Sequence, residues 1–275
     1  MSIFAAIQMA SGPQVTANLL LAGQLIAEAA GKGARFVVLP ENFGLMGVTE
    51  QDKLEVAESA NGGPMQEFLA ENARKHGVWI CGGTLPVETP EPGKVYASSF
   101  IYNDEGRQVA RYDKVHLFDV SLPGVDENYN ESETILPGDR TVVVDTPFGK
   151  IGLAVCYDLR FPELFRELVD RGAEIIFVPA AFTDLTGKAH WDILVRARAV
   201  ENLCYVVASA QGGYHVNGRT TYGHSMIVDP WGAVVDEADD HKPGIVLGDI
   251  NLDCLRRVRR SFPVLQHRRL LSLAS

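Results

Sequence analysis

Apolar positions in this chain follow two rhythms that alternate along most of its length. Short, nearly unbroken apolar runs at residues 3–9, 36–39 and 175–178 suit strands buried on both faces. Between the first two runs, Leu19, Leu20, Ile26, Ala27 and Ala30 recur at helical spacing, with Thr16 as a candidate cap and Gly31 and Gly33 as the stop. The opening forty residues therefore read as a strand, a helix and a second strand ended by Pro40.

The alternation continues. It predicts a helix over 64–76, a strand over 78–82, and a hairpin in which 95–102 and 108–111 flank Asn103-Asp104-Glu105-Gly106. A second hairpin, 141–145 with 150–155, turns at Thr146-Pro147-Phe148-Gly149, and Pro162 occupies the first turn of the helix that follows. Next come a helix near 190–202, a strand over 204–210, and strand-like runs around Ile227, Val234 and Val246. Residues 112–140 are acid-rich, contain two prolines and lack periodicity, which reads as a long loop of the kind that usually carries function. No linker or low-complexity tract interrupts the order, so residues 1–275 read as one domain. Strands alternating with helices call for helix-covered sheets, while the hairpins call for antiparallel pairs. The expected fold is α/β, a four-layer αββα sandwich with two mixed β-sheets.

Composition narrows the function classes. With 46% hydrophobic and 22% charged residues the chain can build a large core, which excludes disorder and coiled coil. A net charge of −10 argues against a nucleic-acid partner, since that needs a positive field. The apolar runs fall short of the ~20 residues a bilayer demands, and the N-terminus lacks a signal-peptide pattern. No membrane partner and a cytoplasmic location are expected. The four cysteines are widely spaced without a C-x-x-C pair, so neither a zinc site nor a disulfide is indicated. Cys81 and Cys204, in apolar runs, and Cys254, near a helix start, read as structural.

Cys156 differs. It ends the apolar stretch Ile151-Gly152-Leu153-Ala154-Val155 and precedes a helix, the place where α/β folds put ligands. On position alone, a nucleophile and a small buried hydrophobe are equally supported. At a free pKa of roughly 8.5 only a few per cent of a thiol is ionised at neutral pH. One ammonium near 4 Å, worth about 4 kcal/mol at an effective dielectric of about 20, would lower that value by roughly three units. Glu41, leaving a buried strand in Leu39-Pro40-Glu41, and Lys114, entering the long loop in Tyr112-Asp113-Lys114-Val115-His116-Leu117, are the candidate charges. Taken singly, each reads as a solvated loop charge.

Taken together, these two segments and Ala154-Val155-Cys156-Tyr157-Asp158-Leu159-Arg160-Phe161-Pro162-Glu163 resemble the signatures of the nitrilase superfamily of carbon–nitrogen hydrolases. The segments Tyr222-Gly223-His224-Ser225-Met226 and Pro263-Val264-Leu265-Gln266-His267-Arg268-Arg269 look most like its Nit subfamily. The resemblance implies that Cys156 attacks an amide carbon, that Glu41 is the general base, and that Lys114 and the Tyr157 backbone N–H receive the oxyanion. It gives Glu131 the positioning of substrate and lysine. Arg160 is a candidate partner for a substrate carboxylate, although a local ion pair with Asp or Glu explains it equally well. Cys-Tyr-Asp, where true nitrilases carry Cys-Trp-Glu, favours an amide over a nitrile.

The implied reaction is hydrolysis of a small linear amide through a cysteine thioester, with release of ammonia and without metal or cofactor. The implied substrate is deaminated glutathione, or alternatively an ω-amide such as α-ketoglutaramate or α-ketosuccinamate. His116, His190 and His224 receive no catalytic role and read as hydrogen-bonded structural residues. The arginines from Arg256 to Arg269 read as partners for acids of this or a neighbouring subunit. A homodimer with segment 251–275 at its interface is likewise implied. The rival readings are a glutamine amidotransferase, whose Gly-x-Cys-x-Gly elbow does not occur here, and a non-catalytic scaffold.

Overall fold

Successive residues of an extended strand face opposite ways, and in this chain both faces are apolar. Phe4, Ala6, Phe36 and Val38 point into a core shared between two sheets. Their neighbours Ala5, Ile7, Val37 and Leu39 pack instead against Leu25, Ile26 and Ala29 of the helix Val15–Gly31 and Leu69 and Ala73 of the helix Pro64–His76. The computed structural model describes residues 1–122, 128–239 and 241–270.

The first sheet runs Gly244–Ile250, Ser2–Gln8, Ala34–Val38, Trp79–Cys81, Val95–Tyr102, Leu85–Glu88, with Gln108–Asp113 also paired to Val95–Tyr102. Ser2–Gln8 lies parallel to Ala34–Val38 and antiparallel to Gly244–Ile250, so the sheet is mixed. The second runs Val234–Glu237, Met226–Val228, Tyr205–Ala210, Ile175–Ala180, Gly149–Leu153, Val142–Thr146, with parallel pairs at its centre and antiparallel ones at its edges. Phe4 and Phe36 meet Phe177 across the two sheets with ring centroids 6.0 and 4.9 Å apart. Each such aromatic pair adds about 0.5–1.5 kcal/mol to the burial of its rings. Phe165 and Leu168 of the helix Pro162–Asp170, and Val195 and Ala199 of the helix Asp184–Asn202, close the other side. The four layers are those the alternating pattern predicts.

Local differences have local causes. Thr16 is not a cap: the helix already begins at Val15, and the Asn18 side chain ties down the entry by accepting from Gly12 N (2.9 Å) and donating to Gly12 O (2.7 Å) and Gly44 O (2.9 Å). The helix expected near His190 starts at Asp184, where the Thr183 hydroxyl accepts from Thr186 N. The helix Pro64–His76 lacks a cap of its own. Buried Glu58 supplies one from outside, accepting from Met65 N and Gln66 N at a position where the helix dipole favours a negative charge. The expected loop over 112–140 contains a small hairpin, Asp119–Ser121 with Asn128–Asn130, and one helical turn, Glu131–Glu133. Its residues 123–127, like tail residues 271–275, lie outside the described residues. No helix among the described residues is long and apolar enough to cross a membrane.

Candidate active site

Three strand ends deliver three side chains to one cleft. Glu41 follows Ala34–Val38: Leu39 N bonds to Cys81 O (2.9 Å), and the Gln211 carboxamide donates to the Glu41 carbonyl (3.0 Å). Lys114 follows Gln108–Asp113, its N–H bonded to Ala97 O (3.0 Å) and its carbonyl to Gly138 N (2.8 Å). Cys156 follows Gly149–Leu153, after Ala154 N has bonded to Phe177 O (3.1 Å). Two glycines back the first pair. A Cβ on Gly83 would stand 1.9 Å from the Pro40 carbonyl oxygen, and one on Gly138 would stand 2.1 Å from that of Asp113. Gly83 also has φ +52°, and neither approach is open to a residue with a side chain. Cys156 itself has φ +46°, a strained conformation of the kind concentrated at functional sites, and opens the short helical turn Cys156–Arg160.

The charges are interlocked. Lys114 Nζ lies 2.8 Å from Glu41 Oε1 and 2.9 and 2.8 Å from the two Glu131 oxygens. Lys114 and Glu41 are only 2% and 3% exposed, so water screens this triad little. Phe118 N donates to Glu131 at 2.7 Å and fixes that carboxylate. Burial works to discharge Lys114, yet the Glu131 and Glu41 carboxylates outweigh it and hold the ammonium well above its ordinary range. For Cys156 the balance runs the other way. Burial and the Glu41 carboxylate push the thiol well above its usual range, against the opposing pull of Lys114 and the Ala181 N–H.

The expected lysine-lowered thiol is therefore corrected. Burial, joined by the Glu41 carboxylate, outweighs the pull of Lys114, so the thiol is raised rather than lowered, and it is hydrogen-bonded to Glu41. A buried thiol, a carboxylate bonded to it, and an ammonium in the same cleft can carry out acyl transfer in which the carboxylate removes the thiol proton as the bond forms.

Asp158, two residues beyond the thiol and fully buried, is the residue that sequence reasoning missed. It accepts from Tyr112 Oη (2.6 Å), Val155 N (2.8 Å) and His116 N (3.1 Å), and contacts His116 Nδ1 (2.7 Å). It thus joins the segment bearing Cys156 to the segment bearing Lys114. Tyr112 and His116 flank Lys114 in the sequence, and that was the available signal. His116 stacks on Phe161 at 3.7 Å, and His224 faces Glu237 at 3.1 Å. His190 takes a hydrogen bond from Arg160 (3.2 Å).

Glu41, Lys114, Glu131, Cys156, Tyr157 and Arg160 all line one cleft that opens to solvent. Arg160 has no carboxylate within ion-pair distance among the described residues, and its guanidinium lies 5.3 Å from the Phe182 ring centroid. The local ion pair weighed against a ligand role is thus not formed. Arg256 faces Glu174 and Asp253, and Arg268 is bound by Asp170 (2.5 and 2.9 Å), so these two tail arginines do meet acids of their own chain. Among the described residues, no cluster of three or more His, Cys, Asp or Glu side chains could hold a metal ion.

Known proteins share this architecture. A protein named deaminated glutathione amidase from Synechocystis sp. is 46% identical over 267 residues, 96% of this chain and 97% of its own length. Saccharomyces cerevisiae Nit3, a member of branch 10 of the nitrilase superfamily, superposes with a TM-score of 0.87 at 33% identity, covering 98% of this chain and 97% of that one. An amidase from Nesterenkonia sp. AN1, solved as a glutamate-to-glutamine variant after Michael addition of acrylamide at its active-site cysteine, matches with a TM-score of 0.77 at 27% identity, covering 96% and 99%. The carbon–nitrogen hydrolase family model matches residues 4–260, and the chain belongs to that family as a hydrolase acting on amides.

Proposed function

We propose that the cleft hydrolyses an amide through a thioester on Cys156. The observation that carries this is the buried Lys114 ammonium between Glu41 and Glu131, facing the same cleft as the thiol. Glu41 takes the thiol proton while sulfur attacks the amide carbon. The developing oxyanion meets Lys114 and the Tyr157 N–H, a pairing worth several kcal/mol in such sites. Glu41 then passes its proton to the departing nitrogen, and later removes one from the water that cleaves the thioester. Glu131 holds Lys114 in place throughout. Buried Glu41, Lys114 and Cys156 meet at one solvent-reachable cleft, a placement that suits a reacting ligand better than a scaffold role.

The substrate reading is deaminated glutathione, supported by the name of the 46%-identical relative. Arg160 would pair with the carboxylate of its α-keto acid end. In this substrate the amide nitrogen belongs to cysteinylglycine, so a dipeptide amine leaves; release of ammonia applies to the alternative, an ω-amide such as α-ketoglutaramate. Purified enzyme should turn over deaminated glutathione at least about tenfold faster, in kcat/KM, than α-ketoglutaramate, a difference of ~1.4 kcal/mol. Equal rates, or the reverse order, would refute the assignment. All four cysteines are free, which suits a cytoplasmic setting.

A homodimer is part of the same proposal. Leu185, Ile193 and Val200 lie exposed along one side of the helix Asp184–Asn202, beside Trp231 and Phe262, whose rings contact at 5.5 Å. Several large apolar side chains exposed on one face are what an association site offers. Light scattering should give about 60 kDa, twice the 30.0 kDa chain mass, and Ile193→Glu should shift the mass towards the monomer; a monomeric wild-type chain would exclude the dimer.

A further inference from the structure

Beyond the reactive triad, the cleft wall carries an ionic cluster with no part in bond cleavage. Glu50 accepts from Lys53 Nζ (2.6 Å) and from Arg219 Nη2 (2.5 Å). The two cations hold Glu50 ionised below the usual carboxylate range although burial opposes it. Two cations against one anion leave this wall with a net charge of +1. The Arg219 guanidinium also lies 4.8 Å from the Tyr129 ring centroid. Its loop is fastened to the stretch after Glu41: Asn217 Nδ2 donates to Gly47 O (2.9 Å), and Asn217 Oδ1 accepts from Arg219 N (3.0 Å).

The position of the cluster is informative. Proton transfer from Glu41 requires the departing nitrogen to lie on the Glu41 side of the cleft. Asn42, the residue after Glu41, lines the cleft together with Met46, Glu50 and Lys53. A second pocket, open to solvent, adjoins it and shares Asn42, Met46, Glu50, Lys53 and Arg219 with the first. Ammonia has no use for space or positive charge beyond the scissile bond. A leaving group with a terminal carboxylate has use for both.

We infer that Arg219, assisted by Lys53, binds a carboxylate on the leaving-group side, so that the enzyme selects amides carrying one carboxylate on each side of the scissile bond: Arg160 takes the acyl side and Arg219 the amine side. The inference rests on the proposed function and deepens it. It makes the cleft a reader of the whole substrate, and it separates deaminated glutathione from the ω-amides by a named side chain.

The experiment compares deaminated glutathione with the same compound capped as its C-terminal carboxamide, in wild type and in Arg219→Gln. Loss of a charged hydrogen-bond pair predicts a wild-type preference for the free carboxylate of about 10- to 100-fold in kcat/KM, expressed mainly in KM. In Arg219→Gln the ratio should collapse to near one. A wild-type ratio near one, which involves no variant, overturns the inference alone, as does an unchanged ratio in Arg219→Gln. Wild-type enzyme that hydrolyses α-ketoglutaramate but not deaminated glutathione overturns the substrate reading and this inference with it.

Discussion

Cys156→Ala is expected to abolish amide hydrolysis, lowering kcat by at least ~10⁴-fold, with the fold intact. The expected stability change is small. Alanine retains the Cβ, so the left-handed backbone at this position is no more strained than before, and the losses are the Ala181 N–H contact to sulfur and the thiol's hydrogen bond to Glu41, which keeps Lys114 as its partner. A loss of about 1 kcal/mol corresponds to a melting-temperature drop of roughly 2–4 °C for a chain of this size. Because burial and the Glu41 carboxylate push the wild-type thiol up, activity at neutral pH is expected not to track thiolate formation. The two readouts are ammonia or amine release and thermal melting. Measurable turnover by the correctly folded variant would remove the thioester from the mechanism.

Lys114→Met acts on both stability and rate. Methionine matches the length of the buried stem but leaves Glu41 and Glu131 facing each other without a cation. Breaking a buried ion pair from one side costs about 3–5 kcal/mol, and a melting point roughly 10 °C lower is expected. Loss of the proposed oxyanion donor should cut kcat by a further ~10²–10³-fold in whatever protein remains folded. The sign of the pH dependence follows from the raised lysine. Its contribution to stability is complete below the ordinary lysine pKa of 10.5 and disappears only as pH climbs through the higher folded-state value, so between pH 7 and pH 10 this group contributes no slope in the wild type. Thermal melts of both proteins across that range test the claim. A variant as stable as wild type would mean that the two carboxylates do not depend on the ammonium.

Much of the fold was legible because its central strands are apolar on both faces. Runs such as residues 36–39 and 175–178 fit no other environment, and the helices between them repeat every three to four positions. The helix Asp184–Asn202 was harder to place at its start, since Asp184-Leu185-Thr186-Gly187-Lys188 offers little apolar periodicity and contains a glycine. Leu85–Glu88, Gly212–Tyr214 and Thr220–Tyr222 are too short for their pattern to stand out, so their pairing comes from tertiary contacts.

At the site, Glu41, Lys114 and Cys156 could be named from three local motifs. The balance of charge among them could not, because it depends on Glu131 lying on Lys114 and on how deeply the thiol is buried. Glu50 and Arg219 were out of reach for a simpler reason: 169 positions separate them, and neither belongs to a motif.

Gly83 and Gly138 contribute no functional group, yet each presses main chain against main chain immediately behind Glu41 or Lys114. Tolerance to mutation should therefore run opposite to chemical intuition. Redesign aimed at new substrates has freedom along the cleft wall, among arginines and aromatics, and almost none at two positions that never meet a ligand, because a single added methyl there shifts the whole reactive assembly out of register.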